Sequence, residues 1–255
     1  MIRFVGAGPG AVDLITVRGM EYLKKADVVI YAGSLVNPAL LEYAPQDAKI
    51  CNSAFMTLEE VMDVMISADA SGLEVVRLHT GDASLYGAVR EQMDLLDRHQ
   101  IPYESCPGVS ACFGAAAGLN LEFTLPGITQ TLIVTRLAGK TAVPEKEKLR
   151  LLASHGSSMA IYLSAGMLGA LSAELLAGGY APDTPAAIVY KATWPEEKVV
   201  HCTVGTLAEA ARANGIRKTA LILVGDFLGS VYERSRLYDP AFETEYRKKT
   251  DTKQI

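Results

Sequence analysis

The sequence has little of what a metal centre, a redox pair or a nucleic-acid surface would need. Its four cysteines, Cys51, Cys106, Cys112 and Cys202, form no Cys-x-x-Cys pair, and its four histidines, His79, His99, His155 and His201, lack helical ligand spacing. No metal ligands are assigned, and thiols so scattered read as unpaired and reduced. Aromatic residues make up only 7% of the chain, and a net charge of −5 leaves no basic stripe, so no nucleic-acid partner is expected. No apolar run reaches the roughly 18 residues of a membrane span. The first apolar stretch is broken by glycines, Pro9 and Asp13, which also argues against a signal peptide. A cytoplasmic enzyme with no membrane partner is expected.

What is present is an ordinary globular balance, 49% apolar and 21% charged over 255 residues. Apolar strands alternate with amphipathic helices, which makes the fold class α/β. IRFVGAG reads as a strand entering a loop, with a helix from N-cap Thr16. DVVIYAG is a second strand. TLEEVMDVMISA opens with a Thr57/Glu60 capping box and turns Leu58, Val61, Met62 and Met65 to one side. Strand EVVRLHTGD, a helix from about Ser84 to Arg98, a short strand at PYESC and a small-residue helix after PGVSA complete the first half. The second half runs through strand GITQTLIVTRLAG, helix EKEKLRLLASHG, strand SMAIYLS and helix LGALSAELLAGG. Strands AAIVYKAT and KVVHCTVGTL follow, then a helix from a Thr206/Glu209 capping box and strand TALILVGDFL. GLNLEFTLPG separates the halves. The expected organisation is residues 1–118 and 119–232 as two α/β domains, with a loose charged tail over 233–255.

Gly6, Gly8 and Ala11 match the G-x-G-x-x-A spacing of a dinucleotide turn, which leaves an NAD(P)-dependent oxidoreductase open. Such a turn needs a helix starting at the loop, and here the first helix begins about eight residues beyond Gly8. Pro9 removes one backbone donor. No carboxylate ends the second strand to hold a ribose, because Asp27 stands at its start. PGVSACFG has the look of a nucleophile elbow around Ser110, but Cys112 replaces the final glycine, and only His155 and His201 lie downstream.

Four loops in fixed order carry a more specific signal: GAGPG with Asp13-Leu14-Ile15-Thr16, then TGDASLYG, PGVSA and KATWPEEKVV. This set resembles the tetrapyrrole (corrin/porphyrin) methylases from residue 2 to about residue 229. YAGSLVNPALL, QTLIVTRLAGKTAVPEKEKL and MAIYLSAGML are similar to the precorrin-4 and cobalt-precorrin-4 branch, which methylates carbon 11 of the macrocycle in corrin synthesis. Relatives acting on uroporphyrinogen carry a GGDPFVFGRG-like third loop. TGDASLYGAVREQ departs from it, with Thr80 in place of the first glycine. Another precorrin methyltransferase of the same family remains an alternative.

The resemblance implies two α/β domains with the active-site cleft between them, S-adenosylmethionine as methyl donor, a tetrapyrrole (precorrin-4 or cobalt-precorrin-4) as partner, and a homodimer. Carried over residue by residue, it implies adenosylmethionine contacts from Pro9, Gly81, Asp82, Leu85, Tyr86, Ser110, Ala111, Leu163, Ala192, Thr219 and Ala220. Many relatives have methionine at the position of Leu163. Substrate carboxylates require local cations in so acidic a chain, and Arg136 and Lys140 are the candidates, with hydroxyls from Tyr31 and Ser34. No catalytic residue is assigned. Methylation at carbon 11 makes that carbon quaternary without losing a proton, so no general base is required there. Orientation alone supplies roughly 7–11 kcal/mol.

Overall fold

The computed structural model describes residues 1–33 and 35–248. They form two compact units, Met1–Leu119 with Val189–Lys198, and Asn120–Ile188 with the chain from Val199 onward.

The first unit runs β1 (Ile2–Gly6), α1 (Val17–Leu23), β2 (Val28–Tyr31), β3 (Lys49–Asn52), α2 (Leu58–Ala70), β4 (Val75–His79), α3 (Arg90–Arg98), β5 (Tyr103–Cys106) and α4 (Ala111–Gly118). Its sheet has the order β3-β2-β4-β1-β5, and every pair is parallel. Parallel neighbours need crossovers over a sheet face, so both faces must be apolar. Alternation along the strands meets that demand. Val5, Val29, Val76 and Leu78 pack with Leu23 of α1. Ile2, Phe4, Ile30 and Val75 pack with Val61, Met62 and Met65 of α2 and Leu96 of α3. Two helix starts follow the sequence reading. Thr16 accepts the Gly19 N–H at 3.1 Å, and Thr57 and Glu60 exchange both bonds of a capping box.

The helix expected from Ser84 to Arg98 forms only from Arg90. Before it, Tyr86 and Ala88 adopt φ of 58° and 49°, left-handed values that a helix cannot contain. A side chain at Gly87 would place Cβ 2.1 Å from the Ala83 carbonyl oxygen. Gln92 ties this loop to the sheet. Its Nε2 donates to the Ala88 carbonyl at 2.9 Å, and its Oε1 accepts from buried Arg77 at 3.2 Å. Arg77 also donates to the Ile30 carbonyl, and burial pushes its guanidinium down to about 10.

The second sheet and its helices comprise β6 (Leu132–Arg136), α5 (Leu149–Ala153), β7 (Ser158–Tyr162), α6 (Leu168–Ala177), β8 (Pro185–Tyr190), β9 (Lys198–Thr203), α7 (Leu207–Ala213) and β10 (Ala220–Val224). The end of β8 and the first residue of β9 fall in the Val189–Lys198 segment grouped with the first unit. The strand order of this second sheet is β6-β7-β10-β8-β9, with β6 and β7 parallel and β10 antiparallel to β7. Leu149, Leu171, Leu175 and Leu207 bury the helices, and α6 ends on Gly178 and Gly179, the latter at φ 110°. Two expectations are corrected. The helix over EKEKLRLLASHG is a 3-10 turn (Glu145–Glu147) followed by the short α5, because Lys148 is extended between them. Thr206 stands at the N-cap of α7 as expected but forms no capping box with Glu209, since its hydroxyl accepts the Thr203 N–H at 2.9 Å instead. In the charged stretch after residue 232, Glu233 donates its N–H to the Pro126 carbonyl, and Arg247 donates to the carbonyls of Leu237, Asp239 and Phe242.

His79 closes β4 with Nε2 buried and unpartnered. Burial, with a smaller contribution from the Arg77 charge, pushes the imidazole down to about 3. The unfolded chain takes up this proton near the ordinary value, whereas the folded chain stays neutral. The stability owed to a neutral His79 is therefore complete above the ordinary histidine value and is lost as pH falls toward about 3. One such proton gives a slope of about 1.4 kcal/mol per pH unit. Urea denaturation between pH 7 and 5 should show a flatter slope for His79→Gln than for the wild type, and identical slopes would contradict this assignment.

Candidate active site

In a parallel sheet all strands finish at one edge, so the order β4-β1-β5 gathers the loops after those three strands. The chain also leaves β1 and β4 over opposite faces, the reversal at which α/β sheets open a crevice. Ala7 and Gly8 donate their N–H groups to the carbonyls of His79 and Gly81, at 2.7 and 3.2 Å, and the Gly81 N–H returns to the Gly8 carbonyl at 2.9 Å. The third loop closes on both. A Cβ at Gly108 would lie 2.2 Å from the Gly81 oxygen, and one at Gly6 would lie 2.6 Å from the Gly108 Cα. Only glycine permits this three-way backbone contact.

Asp82 clamps the arrangement. One carboxylate oxygen accepts the Gly108 N–H at 2.8 Å, and the other accepts the N–H and hydroxyl of Ser84. Partial burial works to raise its pKa, but the bonds from the Ser84 hydroxyl, Gly108 and the Ser84 amide prevail and hold the carboxyl below its ordinary value. Leu85 donates its N–H to the Asp82 carbonyl at 3.2 Å. Ser110, buried, is the N-cap of α4. Its Cα and the Ala111 nitrogen stand 3.5 and 3.6 Å from where a Gly81 side chain would begin. Ala192 joins the same unit on the Val189–Lys198 segment and is buried. Eight of the expected adenosylmethionine contacts thus lie in the first unit: Pro9, Gly81, Asp82, Leu85, Tyr86, Ser110, Ala111 and Ala192.

The other three lie in the second unit. Leu163, 64% exposed at φ 53°, follows β7, and Thr219, at φ 55°, precedes Ala220 at the start of β10. Because β6 and β7 are parallel and β10 runs against them, these residues share one end of the sheet with Arg136 and Lys140. Arg136 donates to the Thr141 and Ala142 carbonyls at 3.1 and 2.6 Å, so much of its guanidinium organises the loop that presents exposed Lys140. Ser164 pins the same loop by accepting the Leu137 N–H at 2.9 Å. Tyr31 is half-buried at the end of β2. Ser34 lies outside the described residues.

Non-glycine residues at positive φ mark these loops: Tyr86, Leu163, Thr219, and Lys191 beside Ala192. Each such conformation costs on the order of 1–3 kcal/mol and persists only where surrounding contacts dictate it. Gly108, Ser164, Thr193 and Trp194 stand in stretches quoted from the sequence, PGVSA, MAIYLSAGML and KATWPEEKVV, but carry no assigned role there.

The geometry also bears on the alternatives. The glycine loop spends the N–H groups of Ala7, Gly8 and Ala11 within the unit, Pro9 has none, and α1 begins at Val17, so a pyrophosphate finds no prepared cradle. Ser110 has neither His155 nor His201 in its unit, and both histidines are exposed. Among the described residues no group of three His, Cys, Asp or Glu could hold a metal ion.

Residues 1–208 match the family model described as Tetrapyrrole (Corrin/Porphyrin) Methylases. The chain belongs to that family. This tetrapyrrole methylase is 54% identical to a cobalt-precorrin-4 C(11)-methyltransferase of Methanocaldococcus jannaschii, over 97% of its own length and 96% of the relative's. It is also similar to the X-ray structure of a cobalt precorrin-4 methyltransferase, a cobalamin biosynthetic enzyme, with TM-score 0.88 and 47% identity over 90% of this chain and 96% of that one. A uroporphyrin-III C-methyltransferase of Thermus thermophilus complexed with S-adenosylhomocysteine matches with TM-score 0.73 and 27% identity, over 89% and 92% of the two chains. Family membership does not favour an oxidoreductase.

Gly108→Ala should drive Cβ into the Gly81 oxygen and part the three loops. Calorimetry with S-adenosylhomocysteine should show affinity at least about tenfold weaker, a loss of about 1.4 kcal/mol. Wild-type affinity in that variant would mean that the glycine contact does not govern ligand binding.

Proposed function

We propose that this tetrapyrrole methylase transfers the methyl group of S-adenosylmethionine to carbon 11 of cobalt-precorrin-4 in cobalamin synthesis. The observation that carries the reading is the gathering of three glycine backbones at the carboxyl edge of β4-β1-β5 in a chain 54% identical to an enzyme of that name. A flat nucleoside needs close backbone edges and few side chains, which Gly81, Ser110 and Ala111 supply. Pro9, Gly81, Asp82, Leu85, Tyr86, Ser110, Ala111 and Ala192 are the proposed contacts in the first unit. Leu163, Thr219 and Ala220 are proposed from the second. When bound, adenosylmethionine supplies an electrophilic methyl on a sulfonium. The chain's task is to orient that group against a π-rich carbon and exclude water, with no proton to remove at the quaternary centre.

The name of the Methanocaldococcus relative and that of the solved cobalt precorrin-4 methyltransferase support a cobalt-bearing ring, the metal arriving as part of the substrate. We also propose a cytoplasmic location and a homodimer. Four cysteines with no Cys-x-x-Cys pair suit a reducing compartment, and no helix among the described residues is long and apolar enough to cross a membrane. The homodimer is what the resemblance to the tetrapyrrole methylases implies.

Turnover of cobalt-precorrin-4 with S-adenosylmethionine carrying a 13C methyl should label carbon 11 by NMR. Label at another carbon, or turnover only of the metal-free ring, would overturn the specific assignment. Arg136→Ala should release the 137–142 loop and weaken tetrapyrrole binding about tenfold, the scale of one lost charged hydrogen bond. S-adenosylhomocysteine affinity should hold, and equal loss of both ligands would contradict a substrate role.

A further inference from the structure

Trp194, the chain's one tryptophan, lies on the Val189–Lys198 segment that groups with the first unit. Its indole N–H donates to the Pro9 carbonyl at 3.2 Å. The ring covers Gly10 so closely that a Cβ there would meet it at 2.1 Å. Thr193 accepts the Ala11 N–H on its hydroxyl at 3.0 Å, and its own N–H goes to the Glu197 carboxylate. The Lys191 ammonium stands 5.0 Å from the centre of the indole ring and pairs with Glu196 at 3.5 Å. Lys191 and Thr193 hold φ of 47° and 67°, conformations that such a set of contacts can impose. Three consecutive residues of the glycine loop, Pro9, Gly10 and Ala11, are therefore gripped from this one segment. Upstream, Gly8 is already committed to Gly81, so the loop is fixed at both ends.

We propose that Trp194 is a positioning residue for the methyl donor, holding the Pro9–Ala11 backbone in the form that binds adenosylmethionine. The inference rests on the reading of the glycine loops as the donor site. A Gly-Pro-Gly run carries no polar side chain, so its shape is set from outside, by the Asn37 amide that donates to the Gly10 carbonyl at 2.9 Å and by the indole. The indole does this through a directional N–H bond together with a flat apolar cover over Gly10.

Calorimetry of the wild-type protein with S-adenosylhomocysteine separates the two ideas, because absence of binding overturns the donor site itself. Where binding is seen, emission of the lone tryptophan should change along the same titration curve. Trp194→Phe keeps a ring over Gly10 and loses the N–H. It should raise Kd for S-adenosylhomocysteine and KM for S-adenosylmethionine about five- to tenfold, while KM for the tetrapyrrole stays within about twofold. Binding with unmoved emission and an unchanged Kd in the variant overturns the proposal. Equal rises in both KM values mark a merely structural role and overturn it as well. Should the variant fail to fold, the wild-type emission titration decides.

Discussion

The backbone contact among Gly6, Gly81 and Gly108 is the constraint on which the first unit's functional end depends. Parallel pairing brings the ends of β4, β1 and β5 side by side, but three ordinary loops at that spacing would collide through their side chains. Removing the side chains lets the loops interlock, and the Asp82 carboxylate then ties the second loop to the third. What remains is an edge made of main chain, stiff and nearly bare. Such an edge suits a ligand recognised by shape and by a few polar contacts.

The second unit meets a different demand. Its exposed sheet end carries Leu163, Lys140 and the carbonyl-filled guanidinium of Arg136. Arg136 shows how an acidic protein can still offer local positive charge: one cation shapes the loop so that a neighbouring lysine is displayed. The division of labour between a main-chain edge and a charged loop fits a reaction that asks for orientation and makes little call on acid–base groups.

Much of this was legible in the residues, for identifiable reasons. Strands such as VVIY announce themselves because both faces of a parallel sheet must be apolar, and Thr16 and Thr57 announce helix starts because capping is local chemistry. The helix expected from about Ser84 is a loop as far as Val89. Its composition permits a helix, and what forbids it is the grip of Asp82 on Ser84 and of Gln92 on Ala88, contacts fixed by the fold. The capping box expected at Thr206 fails for a related reason, its hydroxyl being drawn back to Thr203. The order of four motifs conveyed the family. Gly108 stands in one of those motifs without a role of its own, because the approach of two distant backbones leaves no trace in spacing.

Grouping Val189–Lys198 with residues 70 or more positions upstream has a consequence for how such proteins can be recombined. A chimaera joined once, near residue 119, would take its Gly-Pro-Gly turn from one parent and the tryptophan that fastens it from the other. Viable exchanges would have to carry both pieces together, through paired crossovers. Inheritance in this architecture follows the spatial unit, even where the chain does not.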